Sequence, residues 1–457
     1  MTVLAMGHAV LRRQRGVTLI ELMVAMVLGL LVAAGIVTVF SSTSSSNKSQ
    51  TQLARLQEEG RFAISRLGSD LRMANGQYCT NSGGTALAAS GGLYLDHLRT
   101  PYVYAKSLLG TAAGADSGAL HDLTTLWAAT SGGVTYPAAP TAPYSMPSFL
   151  YMRGYDCGLT SASCTPIDPT TAGLPAMGKA IGDRVIGSSV ITVRYVNPSS
   201  GWSIGSSGGS SIAASSSTGA ITSITLKPLS SELPASHFAA GDLAMLADCS
   251  SAEIFAVTNA AGVLTPDSTK NFTGSTPAAQ QPEAAPTLFD VNQDLQSVTY
   301  YLKVVDAGNG FTTGALIRRV NGGDTAYGVG EEELVRGIER MDFLYGVQDA
   351  TGNTSFLTAS QIEASTSCPP SELNAVTTTG CLWRAVTSIE VSVLMDGQVP
   401  LYTLDSNDLN YVYTIDSTTS APPSSATHTV KPSDQGFVDQ LLRRQFTALV
   451  AVRNYNP

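Results

Sequence analysis

Residues 17–40 read VTLIELMVAMVLGLLVAAGIVTVF, twenty-four residues carrying one charge, Glu21. As a helix rising about 1.5 Å per residue this stretch is about 36 Å long, enough to cross a hydrocarbon core of about 30 Å. The sixteen residues before it hold Arg12, Arg13 and Arg15 and no acid. Arginines on that flank predict a cytoplasmic N-terminal end, with everything after Phe40 across the membrane. A secretory signal has a shorter apolar region, usually about 7–15 residues, so a spanning helix is the better reading. An acid at the centre of such a helix costs roughly 2.5–3.5 kcal/mol on insertion scales. Glu21 lies near one end, where the cost is lower, and a partner for it is still expected. Ala25, Gly29 and Ala33 form a stripe of small residues spaced by four, which allows close helix approach in lipid.

Downstream, Ser41 to Ser46 are weak helix formers, and the helix is expected to loosen there. Leu53, Leu56, Gly60, Ile64, Leu67 and Leu71 then recur at spacings of three and four, one face of an amphipathic helix that Gly60 weakens. Arg55 with Glu59 and Arg66 with Asp70 stand at i,i+4 on its polar side. The first proline is Pro101, so nothing earlier forces a kink. The pattern predicts one long helix over 18–75, its first half in the membrane and its second packed on a globular domain.

The whole chain has 457 residues, of which 13% are charged, against roughly 25% in an average soluble protein. Its 26 basic and 35 acidic residues give a net charge of −9. That balance excludes a broad positive face, so no nucleic-acid partner is expected. Collagen-like, coiled-coil and polytopic membrane classes are excluded by composition as well.

From 76 to 180 the sequence is irregular, with Gly-Gly pairs, alanine runs and prolines between 137 and 147, and it reads as a loop-rich insertion. A Ser/Gly tract over 199–219 reads as a flexible loop. Nine β-prone segments follow or interleave, at 190–196, 221–226, 243–247, 253–258, 298–305, 315–320, 341–347, 386–394 and 446–452. Strands without interleaved helices predict antiparallel sheets, so the fold class is α+β. A short helix is expected at 435–444. The resulting division is 1–16 ahead of the membrane helix, 17–40 in the membrane, 41–75 amphipathic helix, 76–180 insertion and 181–457 β-rich domain.

Six cysteines, Cys79, Cys157, Cys164, Cys249, Cys368 and Cys381, fall on the far side of the membrane, where disulfides persist. Six cysteines allow fifteen pairings. Proximity in sequence favours Cys157–Cys164 and Cys368–Cys381, which leaves Cys79–Cys249. No C-x2-C pair is present to favour a metal instead.

Chemistry-bearing motifs are weak. Gly201-Trp202-Ser203-Ile204-Gly205 fits G-x-S-x-G, but the Ser/Gly run after it cannot be the helix a nucleophile elbow requires. The histidines, His8, His97, His121, His237 and His428, are scattered and read as surface or loop residues. Asp290-Val291-Asn292-Gln293-Asp294 opens like a calcium loop yet has Leu295 and Tyr301 where the loop needs Gly and an acid. An Asx-type turn is the simpler reading there. No cofactor and no enzymatic activity are expected.

Arg15-Gly16-Val17-Thr18-Leu19-Ile20-Glu21-Leu22-Met23-Val24 resembles the class III leader junction of type IV prepilins and type II secretion pseudopilins. The resemblance implies cleavage between Gly16 and Val17 by a membrane prepilin peptidase, N-methylation of Val17, and pairing of Glu21 with a neighbour's N-terminal amine. Val17 departs from the Phe or Met common at that position. An amine and a carboxylate that are each costly in lipid neutralise one another in such a pair. Four later stretches resemble the PilW family of type IV pilus assembly proteins. They are Gly241–Ala244 through Ser250 with Glu253–Thr258; Leu316–Val320 with Leu334–Glu339 and Leu344–Val347; Trp383 through Val393; and Leu442–Thr447 to Asn454.

That family implies a pilin-like fold, the long helix packed on the β-rich domain. It further implies a minor pilin held in the inner membrane with its C-terminal domain in the periplasm, later carried to the cell surface in the pilus. Its partners would be other minor pilins and the major pilin, in a priming or tip complex that starts the pilus used for twitching motility and adhesion. A minor pseudopilin of a type II secretion system and a pilus-tip adhesin are the alternative readings. Loss of the leader would leave 441 residues with 23 basic and 35 acidic, net −12.

Overall fold

The computed structural model describes residues 16–76, 85–89, 92–96, 101–110, 114–131, 134–160, 164–205, 207–248, 252–279, 286–308, 310–323, 330–348, 353–365, 379–401 and 404–452. The chain divides into two compact units, residues 1–54 and residues 55–457.

The first unit is helical. Helix α1 runs Leu19–Leu71 and is long and apolar enough to cross a membrane. It begins in a capping box: Glu21 N donates to Thr18 Oγ1 at 3.3 Å, and Thr18 N donates to Glu21 Oε2 at 3.0 Å. Two of the amides that every helix start leaves without a carbonyl partner are satisfied this way. The serine-rich run does not loosen the helix, contrary to the expectation from propensity. Hydroxyls around it turn inward instead, with Thr38 Oγ1 donating to Ala34 O at 2.8 Å and Thr51 Oγ1 to Asn47 O at 2.9 Å. The apolar side chains from Val17 to Phe40 are exposed, Leu19 by 78% and Phe40 by 74%. Lipid is the surrounding that fits so long an apolar surface.

In the second unit α1 contributes a face of Leu56, Gly60, Ala63, Leu67, Gly68 and Leu71, all buried. The β-structure falls mainly into three sheets. A seven-stranded sheet has the order Met177–Gly178, Arg184–Val185, Leu295–Gly308, Val190–Val196 and Met152–Tyr155, with Phe311–Val320 paired to Leu295–Gly308 and Glu331–Arg336 paired to Phe311–Val320. A nine-stranded sheet is built mainly from 202–290 and has a core of its own around Trp202, Ile224, Phe255, Leu264 and Leu288. The third has four strands: β1 (Ile338–Gln348), β2 (Thr354–Leu357), β3 (Val386–Asp396) and β4 (Arg443–Ala451), in the order β2-β1-β3-β4 and antiparallel throughout. One long helix together with long antiparallel sheets makes this an α+β fold.

All nine segments expected to be strands lie on strands. The region 76–180 contributes more than loops: Tyr102–Val103 and Tyr144–Ser145 join the nine-stranded sheet, and Met152–Tyr155 and Met177–Gly178 join the seven-stranded one. Leu120, Phe149, Leu150 and Met152 from this region enter the main core beside Leu67, Met341 and Val391. The short helix expected at 435–444 is a single turn at Pro432–Gln435; Gly436, at φ 85°, ends it in the left-handed region.

Candidate functional site

Gly16 and Val17 stand just before the helix, outside regular structure and exposed. A peptide bond in that setting is open to a protease. A Cβ added to Gly16 would meet nothing within 4 Å, so the fold of this chain does not demand glycine there. Glu21, one turn further on, takes part in the cap: its Oε2 also accepts from the Thr18 hydroxyl at 3.0 Å. The carboxylate is thereby held at the helix start, where the macrodipole favours negative charge.

In the second unit the last turns of α1 are clamped to the sheets by a buried acid. Asp70 Oδ2 accepts from Tyr300 OH at 2.6 Å and Arg318 Nε at 2.7 Å, and its Oδ1 accepts from Tyr195 OH at 3.1 Å. The partners come from three adjacent strands of the seven-stranded sheet. Burial and the nearby carboxylate push the phenols of Tyr195 and Tyr300 well above the usual tyrosine range, so both stay neutral donors. The sequence places Asp70 opposite Arg66, but the fold spends it on Arg318 instead. The i,i+4 pair of Arg55 with Glu59 does form, at 2.7 Å. Gln398 bridges the same turn: Arg55 Nη2 donates to its Oε1 at 3.2 Å, and its Nε2 donates to Glu59 Oε2 at 3.0 Å and to Arg336 O at 2.9 Å.

Three further arginines are buried in ion pairs. Arg443 grips Glu339 with two hydrogen bonds, Nε to Oε2 at 2.7 Å and Nη2 to Oε1 at 2.8 Å, both side chains fully covered. Arg340 pairs with Asp416 at 2.6 Å and with Asp342 at 3.0 Å. Arg153 pairs with Glu363 at 2.9 Å, and Glu363 also accepts from Tyr136 OH and from Trp383 Nε1. Each charge is matched where it is desolvated, which is the condition for burying one at all. Sequence inspection finds none of these pairs, since their partners lie 76 to 210 residues apart, save Asp342 beside Arg340.

Cys157 and Cys164 are joined by a disulfide, and Arg184 lies beside it with Nη1 3.5 Å from Cys164 Sγ. Cys381 is also disulfide-bonded. Cys79, Cys249 and Cys368 lie outside the described residues, as do His8 and His97. The reading of the histidines as surface or loop residues fails for His121, which lies on the strand Leu120–Leu123, whereas His428 is in a loop but buried. His121 is 1% exposed, and His428 is 3% exposed and stacked on Tyr411 with ring centroids 4.2 Å apart. Ser203 belongs to a two-residue strand, and a turn follows rather than a helix.

The Asp290–Asp294 segment is a backbone cap. Asp290 Oδ1 accepts from Asn292 N at 3.0 Å, Asp294 Oδ2 from Asp290 N at 2.9 Å, and Asn292 Oδ1 from Leu243 N at 2.8 Å. Those oxygens are spent on amides, as an Asx turn predicts. Burial, with the Asp242 and Asp294 carboxylates beside it, pushes the Asp290 carboxyl well above its ordinary value. Among the described residues, no group of three or more His, Cys, Asp or Glu side chains is placed to hold a metal ion.

No curated protein and no solved structure matches the chain. Two family models do. Residues 11–37, the arginine flank and the start of α1, match the prokaryotic N-terminal methylation motif. Residues 299–454, about a third of the chain, match the type IV pilus-assembly protein W. That match takes in Arg318 of the clamp, the Glu339–Arg443 pair and the whole four-stranded sheet. The chain therefore begins in a sequence that matches the N-terminal methylation motif of prepilin leaders and, over residues 299–454, matches the PilW family of type IV pilus-assembly proteins.

Proposed function

We propose that this chain is a minor pilin. One observation carries the reading: a methylation-motif N-terminus and a PilW region occur on a single chain, with a membrane-length helix behind the motif. In this reading prepilin peptidase cuts between Gly16 and Val17, and residues 1–16 leave. The mature chain sits in the inner membrane through 17–40, with 41–75 as amphipathic helix and the β-rich part, 76–180 and 181–457, in the periplasm. Glu21 then exchanges its capping bonds for the N-terminal amine of a neighbouring subunit, which removes two charges from lipid at once. With other minor pilins and the major pilin the chain primes the pilus and travels in it to the cell surface, in support of twitching motility and adhesion. Cys381 takes Cys368 as its partner, and Cys79 takes Cys249.

The test is maturation. With Gly16→Leu the membrane form should keep its leader, whereas the unaltered chain should begin at Val17 on N-terminal sequencing. Equal size and identical N-termini for the two would overturn the reading. Glu21→Ala should be cut normally and be depleted from sheared pili. Deletion of the gene should abolish twitching and leave protein secretion intact; the reverse result would assign the chain to a secretion system.

A further inference from the structure

Strand β4 ends the four-stranded sheet, and among the described residues its outer edge is open over residues 447–451. The register of the β3–β4 pair shows which backbone groups face outward. Ser388 stands opposite Ala451 and Asp396 opposite Arg443, with no bulge between. Just beyond the two ends, Val452 N donates to Thr387 O and Gly397 N to Leu442 O, each at 2.9 Å. Hydrogen-bonded and non-bonded positions alternate along an antiparallel pair. The even-numbered residues of β4 therefore bond to β3, and Thr447, Leu449 and Ala451 turn their N–H and C=O groups away from the sheet. Among the described residues no strand pairs with that edge and no group bonds those amides or carbonyls.

Natural edges are commonly blunted by lysine, proline or a bulge, because an open row of backbone groups is a template for another strand. From 445 to 451 β4 reads Gln-Phe-Thr-Ala-Leu-Val-Ala, with no charge and no proline. The other end of the strand is occupied, since Gln445 exchanges hydrogen bonds with Thr414. On the open part Leu449 is 63% exposed, an apolar side chain on the same residue whose amide points outward.

We infer that residues 447–451 of β4 accept an added β-strand from a different pilin subunit, an extended segment uncharged where it faces β4 and apolar against Leu449. Only an extended backbone presents donors and acceptors at the spacing of these groups. A second copy of this chain fits less well: parallel pairing of two β4 edges is the weaker mode per residue, and antiparallel pairing conflicts with the direction of α1. Gly60 lies on Phe446 and Gly68 on Val450, so this part of α1 runs along β4 in the same direction. Antiparallel pairing of two β4 edges would set the two Gly60–Gly68 segments in opposite directions, whereas chains entering from one membrane surface run the same way.

The inference rests on the minor-pilin reading, and its test separates the two. A photo-crosslinking amino acid is placed at Thr447 of the full chain in piliated cells, with Phe356 on β2 as the control position. The crosslinked partner is identified by mass spectrometry from isolated membranes and from sheared pili. In parallel Leu449→Pro removes one outward N–H without touching the β3 ladder, and Leu449→Lys places a charge on the edge. The expected result is a crosslink from Thr447, and not from Phe356, to a different chain whose gene encodes a prepilin leader. Both variants should mature normally and enter pili at least about tenfold less, the equivalent of about 1.4 kcal/mol. If Leu449→Pro unfolds the chain, Leu449→Lys and the crosslink still decide. Crosslinking only to a second copy overturns the assignment of the partner. Wild-type incorporation of Leu449→Lys without a Thr447-specific crosslink overturns the edge site. An uncut leader on the wild-type chain would defeat the minor-pilin reading, and the membrane crosslink would then judge the edge by itself.

Discussion

Gly60 of α1 lies directly against the ring of Phe446 on β4: a Cβ at position 60 would stand 2.6 Å from ring carbons. The residue that lowers the helix propensity of the amphipathic stretch is the one that lets the helix sit on the sheet. In an open helix Gly→Ala would stabilise by roughly 1 kcal/mol. Here the added methyl must displace a ring that packs against the main core, and overpacking costs typically about 1–3 kcal/mol. Gly60→Ala should therefore lower the thermal midpoint of the detergent-solubilised protein. In a Phe446→Ala background the same change should raise it. If Gly60→Ala stabilises the otherwise unaltered chain, the close packing is wrong.

Asp70 holds three donors, Tyr195, Tyr300 and Arg318, from three strands. Asp70→Ala leaves a guanidinium and two phenols without their acceptor, and truncating one partner of a buried pair costs about 3–5 kcal/mol. Partial exposure of Arg318 places the expected loss at the lower end, about 3 kcal/mol, read from denaturant midpoints. Asp70→Asn, which keeps one acceptor oxygen, should lose less. Equal stability of Asp70→Ala and the unaltered chain would rule out the clamp.

How much of this was legible in the sequence follows from the range of the interactions. The membrane-length run, the Gly16–Glu21 junction and the 3.6-residue periodicity are local, and local patterns survive in a linear reading. The nine β-prone segments are local in the same sense, and each lies on a strand. What the sequence hid is pairing at long range. Arg66 is the arginine four residues from Asp70, yet the acid turns to Arg318, 248 residues away. The strands of 76–180 are as short as two residues and flanked by glycine and proline, so no period shows in them. The serine run stays helical against its average propensity, with threonine hydroxyls on either side of it bonded back to carbonyls one turn earlier.

The Arg443–Glu339 pair joins β4 to β1 across β3, with both side chains fully covered. Glu339→Ala leaves the buried guanidinium without its counter-charge, though still bonded to the carbonyls of Val438, Asp439 and Leu441, and should destabilise by about 3 kcal/mol. Replacing both residues with apolar ones of similar volume, Glu339→Met with Arg443→Leu, removes the charge together with its partner. The double variant should lose less than the two single losses combined, because the desolvation cost is removed from both sides, even though Val438 O, Asp439 O and Leu441 O lose the arginine as a donor. A double variant that loses the sum of the two single losses would mean that the residues act independently.

Several buried carboxyls set the pH dependence of the fold. Burial pushes Asp156 up to about 6, against the hydrogen bonds it accepts from Ser360. Burial likewise takes Glu253 to about 7, and burial with the neighbouring Glu339 takes Asp396 to about 7. In the unfolded chain such groups titrate near pH 4. Between about pH 4 and 7 the folded state therefore holds more protons than the unfolded one, and stability falls as pH rises through that window. The stabilisation is complete below the unfolded values and is lost above the folded ones. Glu331, held low despite burial by bonds from Lys303 and Tyr301, acts with the opposite sign but below about pH 4.5, and so outside the range from pH 5 to 8. The thermal midpoint should accordingly be higher at pH 5 than at pH 8. Glu253→Gln and Asp396→Asn, each neutral at every pH, should flatten the slope, and the pair together should flatten it most. A midpoint that rises between pH 5 and 8, or a slope the two substitutions leave unchanged, would show that these carboxyls ionise in the folded state without cost.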